Sequence, residues 1–349
     1  MNGDKKVSPG ESTTVAGGTV VVKVESARPQ RRSNIGSLIL LGLLATSAMM
    51  NLLLMVSADM SSPSANSVQQ IHRDGKAGAP AKLAVIQFSG TIMPPFTDRW
   101  MEQIRNAVED QSVKGVLLEI DSPGGLVADS HQLYHELQQL RAVKPVYIAM
   151  KRMAASGGYY IAMGGGPDAR IFAEPTTWTG SIGVIMPRYN AAELATKLGV
   201  KTEPLVTGPL KGSLSPFRDL RDDERAVWDA IIDDSFQRFI GVIADNRSNL
   251  DTDAVRTLAT GQVYTTNQAL KNGLVDEIGF VEDAISSLAD SLNLTEYDVV
   301  DYTSPVSFID ILLGSTATNP PGMMEQLMEA GIPRAFYYCS WSPLIPVQR

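Results

Sequence analysis

Two short segments and one lysine carry the residue types needed for acyl transfer. Ser156 stands in MAASGGYYIA (153–162), with Ala154 and Ala155 before it and Gly157 and Gly158 after it. Nothing bulky crowds its hydroxyl. The arrangement follows the logic of a nucleophile elbow, with Ala154 in place of the first glycine of G-x-S-x-G. A helix beginning at Gly157 leaves free N–H groups and a positive dipole end, both suited to a developing oxyanion. A serine that merely caps a helix has the same pattern. The second segment is DSPGG (121–125). Pro123 fixes φ, while Gly124 and Gly125 reach dihedrals closed to other residues, so N–H groups can turn toward an incoming oxygen. An ordinary turn ahead of a helix reads the same way.

A serine nucleophile needs a base, and the three histidines are badly placed to supply it. His72, His131 and His135 all precede Ser156, which excludes the Ser…Asp…His and Ser…His…Asp orders. His131 and His135 lie one helical turn apart, opposite Leu133, Leu137 and Leu140, and read as solvent-facing. The pair lacks the catalytic glutamate of H-E-x-x-H, and no metal site is expected. A neutral lysine can act instead. Only about one lysine in 2,500 is neutral at pH 7 when unperturbed, so a catalytic one needs an apolar, acid-poor pocket. Lys211, in TGPLKGSLSPFRDLRDDER (207–225), has no acid nearer in sequence than Glu203 and Asp219. An exposed loop lysine is the competing reading.

The elements that must position these residues alternate. LAVIQFSG (83–90), GVLLEID (115–121) and PVYIAM (145–150) read as buried strands. Trp100, Met101, Ile104, Ala107 and Val108, then Leu133, Leu137 and Leu140, stripe the helices between them. Strand and helix at this cadence predict βαβ units and a parallel sheet, with chemistry at the carboxyl ends of the strands. Both glycine-rich segments lie there. Trp228, Ile231, Ile232, Ser235, Phe239 and Val242 space a later amphipathic helix.

Charge divides the chain further. The 349 residues carry a net charge of −8, yet residues 1–32 hold six basic and three acidic side chains. Residues 33–58 are uncharged and rich in Leu, Ile and Met. Such a run is long enough for a transmembrane helix, and the basic flank sets residues 1–32 in the cytoplasm as a flexible tail. Residues 59–81, small and polar, read as a linker. The acidic balance argues against nucleic acid as a partner. A single cysteine, Cys339, excludes an intramolecular disulfide.

Five segments together resemble the signal peptide peptidase A, or protease IV, family. They are LEIDSPGG, MAASGGYYIA, TGSIGVIM (179–186), the Lys211 segment and ATGQVYTTNQALKNGLVDEIG (259–279), in the family's order over roughly residues 82–300. The resemblance implies an α/β Clp/crotonase-like peptidase domain over 82–300 that hydrolyses cleaved signal peptides or other short apolar peptides without cofactor or metal. It implies Ser156 as nucleophile, Lys211 as general base and Ser181 as the hydroxyl that orients the lysine. Gly157, with Gly124 or Gly125, would supply the oxyanion hole. It further implies a homo-oligomer in which Ser156 and Lys211 come from different subunits; the 33–58 run and its basic flank anchor it in the cell membrane, with the catalytic domain on the periplasmic side. Gly164-Gly165-Gly166-Pro167 departs from the family as an insertion, and Gln262 replaces a usual arginine. The 301–349 extension falls outside the match and reads as a subunit contact. A CoA-dependent crotonase-type enzyme and an inactive membrane scaffold are the alternatives. Activity rising through one basic ionisation, at about pH 7–9, is expected of a lysine base.

Overall fold

The computed structural model describes residues 39–47, 49–51, 68–304 and 335–338. The chain divides into two units, Met1–Ser57 and Ala58–Arg349. In the first, residues 39–47 and 49–51 are helical, with Leu41, Leu43, Leu44 and Met49 exposed. Among the described residues no helix is long and apolar enough to cross a membrane. The rest of the expected span, and the whole 1–32 tail, lie outside the described residues.

The second unit opens with β1 (Gln69–Gly75) and β2 (Lys82–Ser89). Along β2, Leu83 and Val85 face one way and Ala84, Ile86 and Phe88 the other, and all are buried. A strand apolar on both faces belongs inside a sheet covered on both sides. There follow α1 (Phe96–Glu109), β3 (Val113–Ser122), β4 (Gly124–Leu126), α2 (Val127–Arg141), β5 (Val146–Ala155) and α3 (Gly157–Ala162). Next come β6 (Ile171–Ala173), β7 (Trp178–Gly180), α4 (Ala192–Lys197), α5 (Asp222–Asn246), α6 (Thr252–Leu258), β8 (Val263–Thr265) and α7 (Thr266–Lys271). The last elements are β9 (Glu277–Ile278), α8 (Val281–Ser291), β10 (Asp298–Thr303) and β11 (Phe336–Tyr338).

The main sheet runs β1-β10-β2-β3-β5-β6-β9, with β7 joined to β5 and β8 to β7. Its pairs from β10 through β9, and β5 with β7, are parallel, as βαβ connections require. One face packs Ala84, Ile86 and Phe88 against Trp100, Ile104, Leu133 and Leu137, and against Phe239 and Ile243 of α5. Phe88 and Trp100 meet with ring centroids 5.1 Å apart. The other face packs Leu83, Val85, Leu117 and Phe172 beneath Val281, Ala284, Ile285 and Leu288 of α8.

Three features differ from the sequence reading. The stretch expected to be linker contributes β1, paired antiparallel with β10. An edge strand with exposed side chains needs no apolar run to form its ladder, so its pattern resembles a linker's. His72 lies on this strand, its Nδ1 2.7 Å from Asp298. Second, β5 runs beyond Met150 to Ala155, pairing first with β6 and then with β7. Third, β11 belongs to the 301–349 extension, yet it pairs antiparallel with β4 of the same protomer.

Candidate active site

β5 delivers Ser156 onto a sharp strand-to-helix corner, with φ 55° and ψ −115°. Residues other than glycine rarely adopt such angles, and a corner of this kind costs on the order of 1–3 kcal/mol. Its surroundings hold it. Ser156 N donates to Gly180 O at 2.7 Å, and Tyr160 N donates to Ser156 O at 2.9 Å. Thr179 Oγ1 donates to Ala154 O at 2.7 Å, and the Tyr159 hydroxyl to Leu274 O at 2.8 Å. The late NGLVDEIG segment is thereby tied to the helix that follows Ser156. Ser156 is 1% exposed, and its Oγ has no hydrogen-bond partner among the described residues. Buried hydroxyls are normally paired, so an orphaned one at a strained corner marks a functional group.

The DSPGG loop lies against this corner. A methyl group on Gly124, whose φ is +98°, would collide with the Tyr337 carbonyl oxygen and lie 2.7 Å from Gly157 N. A methyl on Gly157 would lie 3.1 Å from Gly125 N and 2.7 Å from Ser130 Oγ. Both glycines are therefore required by close approach. Gly124 N donates to Ser122 Oγ at 3.1 Å. Ile92 N donates to Gly124 O at 2.9 Å and Leu126 N to Ile92 O at 2.8 Å, leaving Gly125 N directed away from Ile92.

Ser181 joins the same cluster. The register pairs Ala155 with Gly180, so Ser156 and Ser181 are the next residues on adjacent chains. Ser181 also has positive φ, 50°, is 7% exposed, and donates its N–H to Gln262 O at 2.7 Å. A backbone carbonyl does this anchoring, so glutamine in place of arginine at 262 leaves it intact.

Lys211 makes no hydrogen bond to Ser156 within the protomer. It is exposed, on a turn where its N–H donates to Gly208 O at 3.1 Å. The SPFRDLRDDER residues hold this turn. Arg218 donates to Gly212 O at 3.0 Å and Arg221 to Pro209 O at 3.0 Å, while Trp228 Nε1 donates to Ser213 Oγ at 3.0 Å. Arg218 also grips Glu224 through bonds of 2.6 and 2.8 Å. The Arg218 guanidinium holds the Glu224 carboxyl well below its usual range, to about 2, so the grip persists throughout the neutral range.

A strand from the tail lies along the glycine loop beside Ser156. β11 bonds to β4 on one side, with Tyr337 opposite Gly125, and on the other exchanges two 2.9 Å hydrogen bonds between Phe336 and Ile185. The Tyr337 ring is fully buried. It stacks on Tyr160 at 4.9 Å and tilts against Phe239 at 4.6 Å, and its hydroxyl donates to Ser235 O at 2.7 Å. No spacing in the sequence links this strand with Gly125, more than two hundred residues away. Cys339 itself lies outside the described residues.

His131 differs from its expected solvent-facing position. Its Nδ1 lies 2.7 Å from the Tyr160 hydroxyl, and its ring stacks on Tyr134 at 6.0 Å. Burial, with Arg238 and His135 nearby, pushes its pKa below the ordinary 6.5. A depressed histidine contributes stability that is present above the unfolded value and lost as pH falls past it. The melting temperature should therefore drop between about pH 8 and pH 5.5, and the His131→Gln variant should lose less over that interval. An equal loss in both would remove His131 as the cause.

A buried serine at a strained strand end, packed beside a glycine loop on a parallel α/β sheet, is the arrangement of a Clp-type serine peptidase. Residues 78–181 match the Clp protease model, and residues 138–295 match Peptidase family S49. The chain is 38% identical over 252 residues to an Enterococcus faecium protein named "Putative signal peptide peptidase SppA", covering 68% of this chain and 72% of that one. It is 32% identical over 259 residues to Protease 4 of Salmonella typhi, covering 72% of this chain and 41% of that one. It is also 32% identical over 256 residues to the chloroplastic serine protease SPPA of Arabidopsis thaliana, covering 69% and 37%. The chain belongs to peptidase family S49, the signal peptide peptidase A family.

Proposed function

We propose that this serine peptidase is a membrane-anchored endopeptidase whose dyad is Ser156 and Lys211, acting on cleaved signal peptides or other short apolar peptides. The observation that carries the reading is the buried, unpartnered Ser156 Oγ at a corner with φ 55°. Neutral Lys211 takes the Ser156 proton as Oγ attacks the peptide carbonyl. Gly157 N and Gly125 N stabilise the tetrahedral oxyanion; Gly125 is preferred to Gly124 because Gly124 N is already bonded to Ser122 Oγ. The lysinium then protonates the leaving amine. Lys211 next takes a proton from water as it attacks the ester, and returns that proton to Ser156 Oγ as the acyl–oxygen bond breaks and the carboxylic acid leaves. Ser181, beside Ser156, orients the amine.

Lys211 reaches Ser156 of a second copy in this reading. Its own Ser156 Oγ is unpartnered, and the surface around its turn is apolar: Tyr189, Leu198, Leu205 and Phe217 are all exposed. Exposed apolar patches of this kind suit a subunit contact. Homo-oligomerisation is then a condition of activity. The uncharged run at 33–58 supports a single-pass anchor with a cytoplasmic N-terminus and a periplasmic catalytic domain.

A fluorophosphonate probe should form one adduct, on Ser156, and none on the Ser156→Ala protein; the Lys211→Ala protein should react far more slowly. Adducts that persist at full rate in both variants would overturn the dyad. An idle scaffold would not react at all, and a crotonase-type enzyme would need no activated serine.

A further inference from the structure

Gly124 joins two peptide planes that are pinned separately. The plane that carries Gly125 N is held at its opposite edge, where Ile92 N donates to Gly124 O at 2.9 Å. The plane before it, between Pro123 and Gly124, is held by a side chain: Ser122 Oγ accepts from Gly124 N at 3.1 Å. Ser122 is fully buried at the end of β3, in register with Ala154, two residues before Ser156. A methyl group on Gly158 would lie 2.8 Å from the Ser122 carbonyl oxygen, so the Ser122 backbone abuts the helix that follows Ser156. One residue therefore holds the DSPGG loop with its hydroxyl and packs against α3 with its backbone. Two pins are needed because of the glycine between them. Gly124 reaches φ +98° without strain, and for the same reason it leaves that angle easily.

We infer that Ser122 is a positioning residue for peptide hydrolysis, its buried hydroxyl fixing the Pro123–Gly124 peptide and thereby holding Gly125 N where the oxyanion forms. The inference rests on the proposed roles of Ser156 and Gly125 and adds the group that keeps the donor in place. Without the hydroxyl, Gly124 N becomes a buried donor deprived of that acceptor. The Pro123–Gly124 plane then turns to find another, and Gly124 passes the rotation to the plane that carries Gly125 N. Oxyanion stabilisation depends on donors preorganised at the developing charge, so a small rotation costs rate. Gly124 N faces Ser122 and not the substrate, so binding of the uncleaved peptide is spared.

The test compares Ser122→Ala, Ser122→Cys and Ser122→Thr in the full chain. Fluorophosphonate labelling carried to completion maps the adduct and counts competent sites, so that kcat is expressed per reactive Ser156 and a partly folded variant does not distort it. Ser122→Ala should lose roughly tenfold in kcat, less than the loss of a whole oxyanion donor, with KM changed by less than about twofold. A peptide aldehyde, whose serine adduct places an oxygen in the same hole, should bind more weakly by the factor lost in kcat/KM. Cysteine is close to serine in shape but accepts weakly, and should behave as alanine does. Threonine keeps the hydroxyl and should restore most of the loss. Unchanged kcat and aldehyde affinity in Ser122→Ala would overturn the inference, as would a threonine variant as slow per site as the alanine one. An adduct that maps away from Ser156 in the parent chain would instead overturn the nucleophile on which the inference rests.

Discussion

Replacing Lys211 with alanine should leave the protein folded and reduce peptide hydrolysis by roughly a thousandfold, the usual size of a general-base contribution. The asymmetry follows from position. Lys211 is exposed on a turn that Arg218, Arg221 and Trp228 hold through neighbouring residues, so the turn survives its removal. An exposed side chain without packing partners changes stability by about 0.5 kcal/mol or less. Thermal unfolding and steady-state kinetics on the same sample read both quantities. A thousandfold loss with an unchanged melting temperature supports a chemical role. A loss that tracks unfolding, or no loss, would assign the base elsewhere.

Gly124→Ala should act in the opposite manner, damaging geometry and chemistry together. Alanine is strained at φ +98°, and its methyl would lie 2.7 Å from Gly157 N and 3.1 Å from Ala155 O, besides colliding with the Tyr337 carbonyl. The tail strand can move aside. The two backbone contacts cannot relax without shifting the corner that presents Ser156. We expect a loss of about 1–3 kcal/mol in stability. We also expect a fall in kcat of roughly a hundredfold or more, the scale of losing one oxyanion donor. Because the collision falls on the groups proposed to receive the oxyanion, kcat should suffer more than KM. A variant that melts lower but turns over at the parental kcat would show that Gly157 N does not stabilise the transition state.

The sequence made the sheet and both glycine-rich loops legible because each signal is local. β2 and β3 appear as short apolar runs, and Ser156 and DSPGG follow such runs directly. Three things were not legible. β1 gains its place from ladder hydrogen bonds alone, and its side chains are exposed, so composition marked it as linker. His131 lies opposite the leucine stripe, yet α3 and its Tyr160 ring approach that side, and no periodicity within one helix reports a neighbour. β11 pairs with β4 across a separation that local patterning cannot reveal. The strain at Ser156 was foreshadowed by the small residues around it, whereas nothing local in TGSIG marks the positive φ at Ser181.

Mixing the two inactive variants tests the shared Ser156–Lys211 dyad most directly. Ser156→Ala supplies Lys211 without the nucleophile, and Lys211→Ala supplies the nucleophile without the base. Dissociated, combined in equal amounts and reassembled, they should regain about a quarter of parental activity, because random neighbours in a closed ring restore one dyad in four. Native mass spectrometry would establish that mixed assemblies had formed. Mixed assemblies that remain as inactive as either parent variant would contradict a dyad completed between subunits.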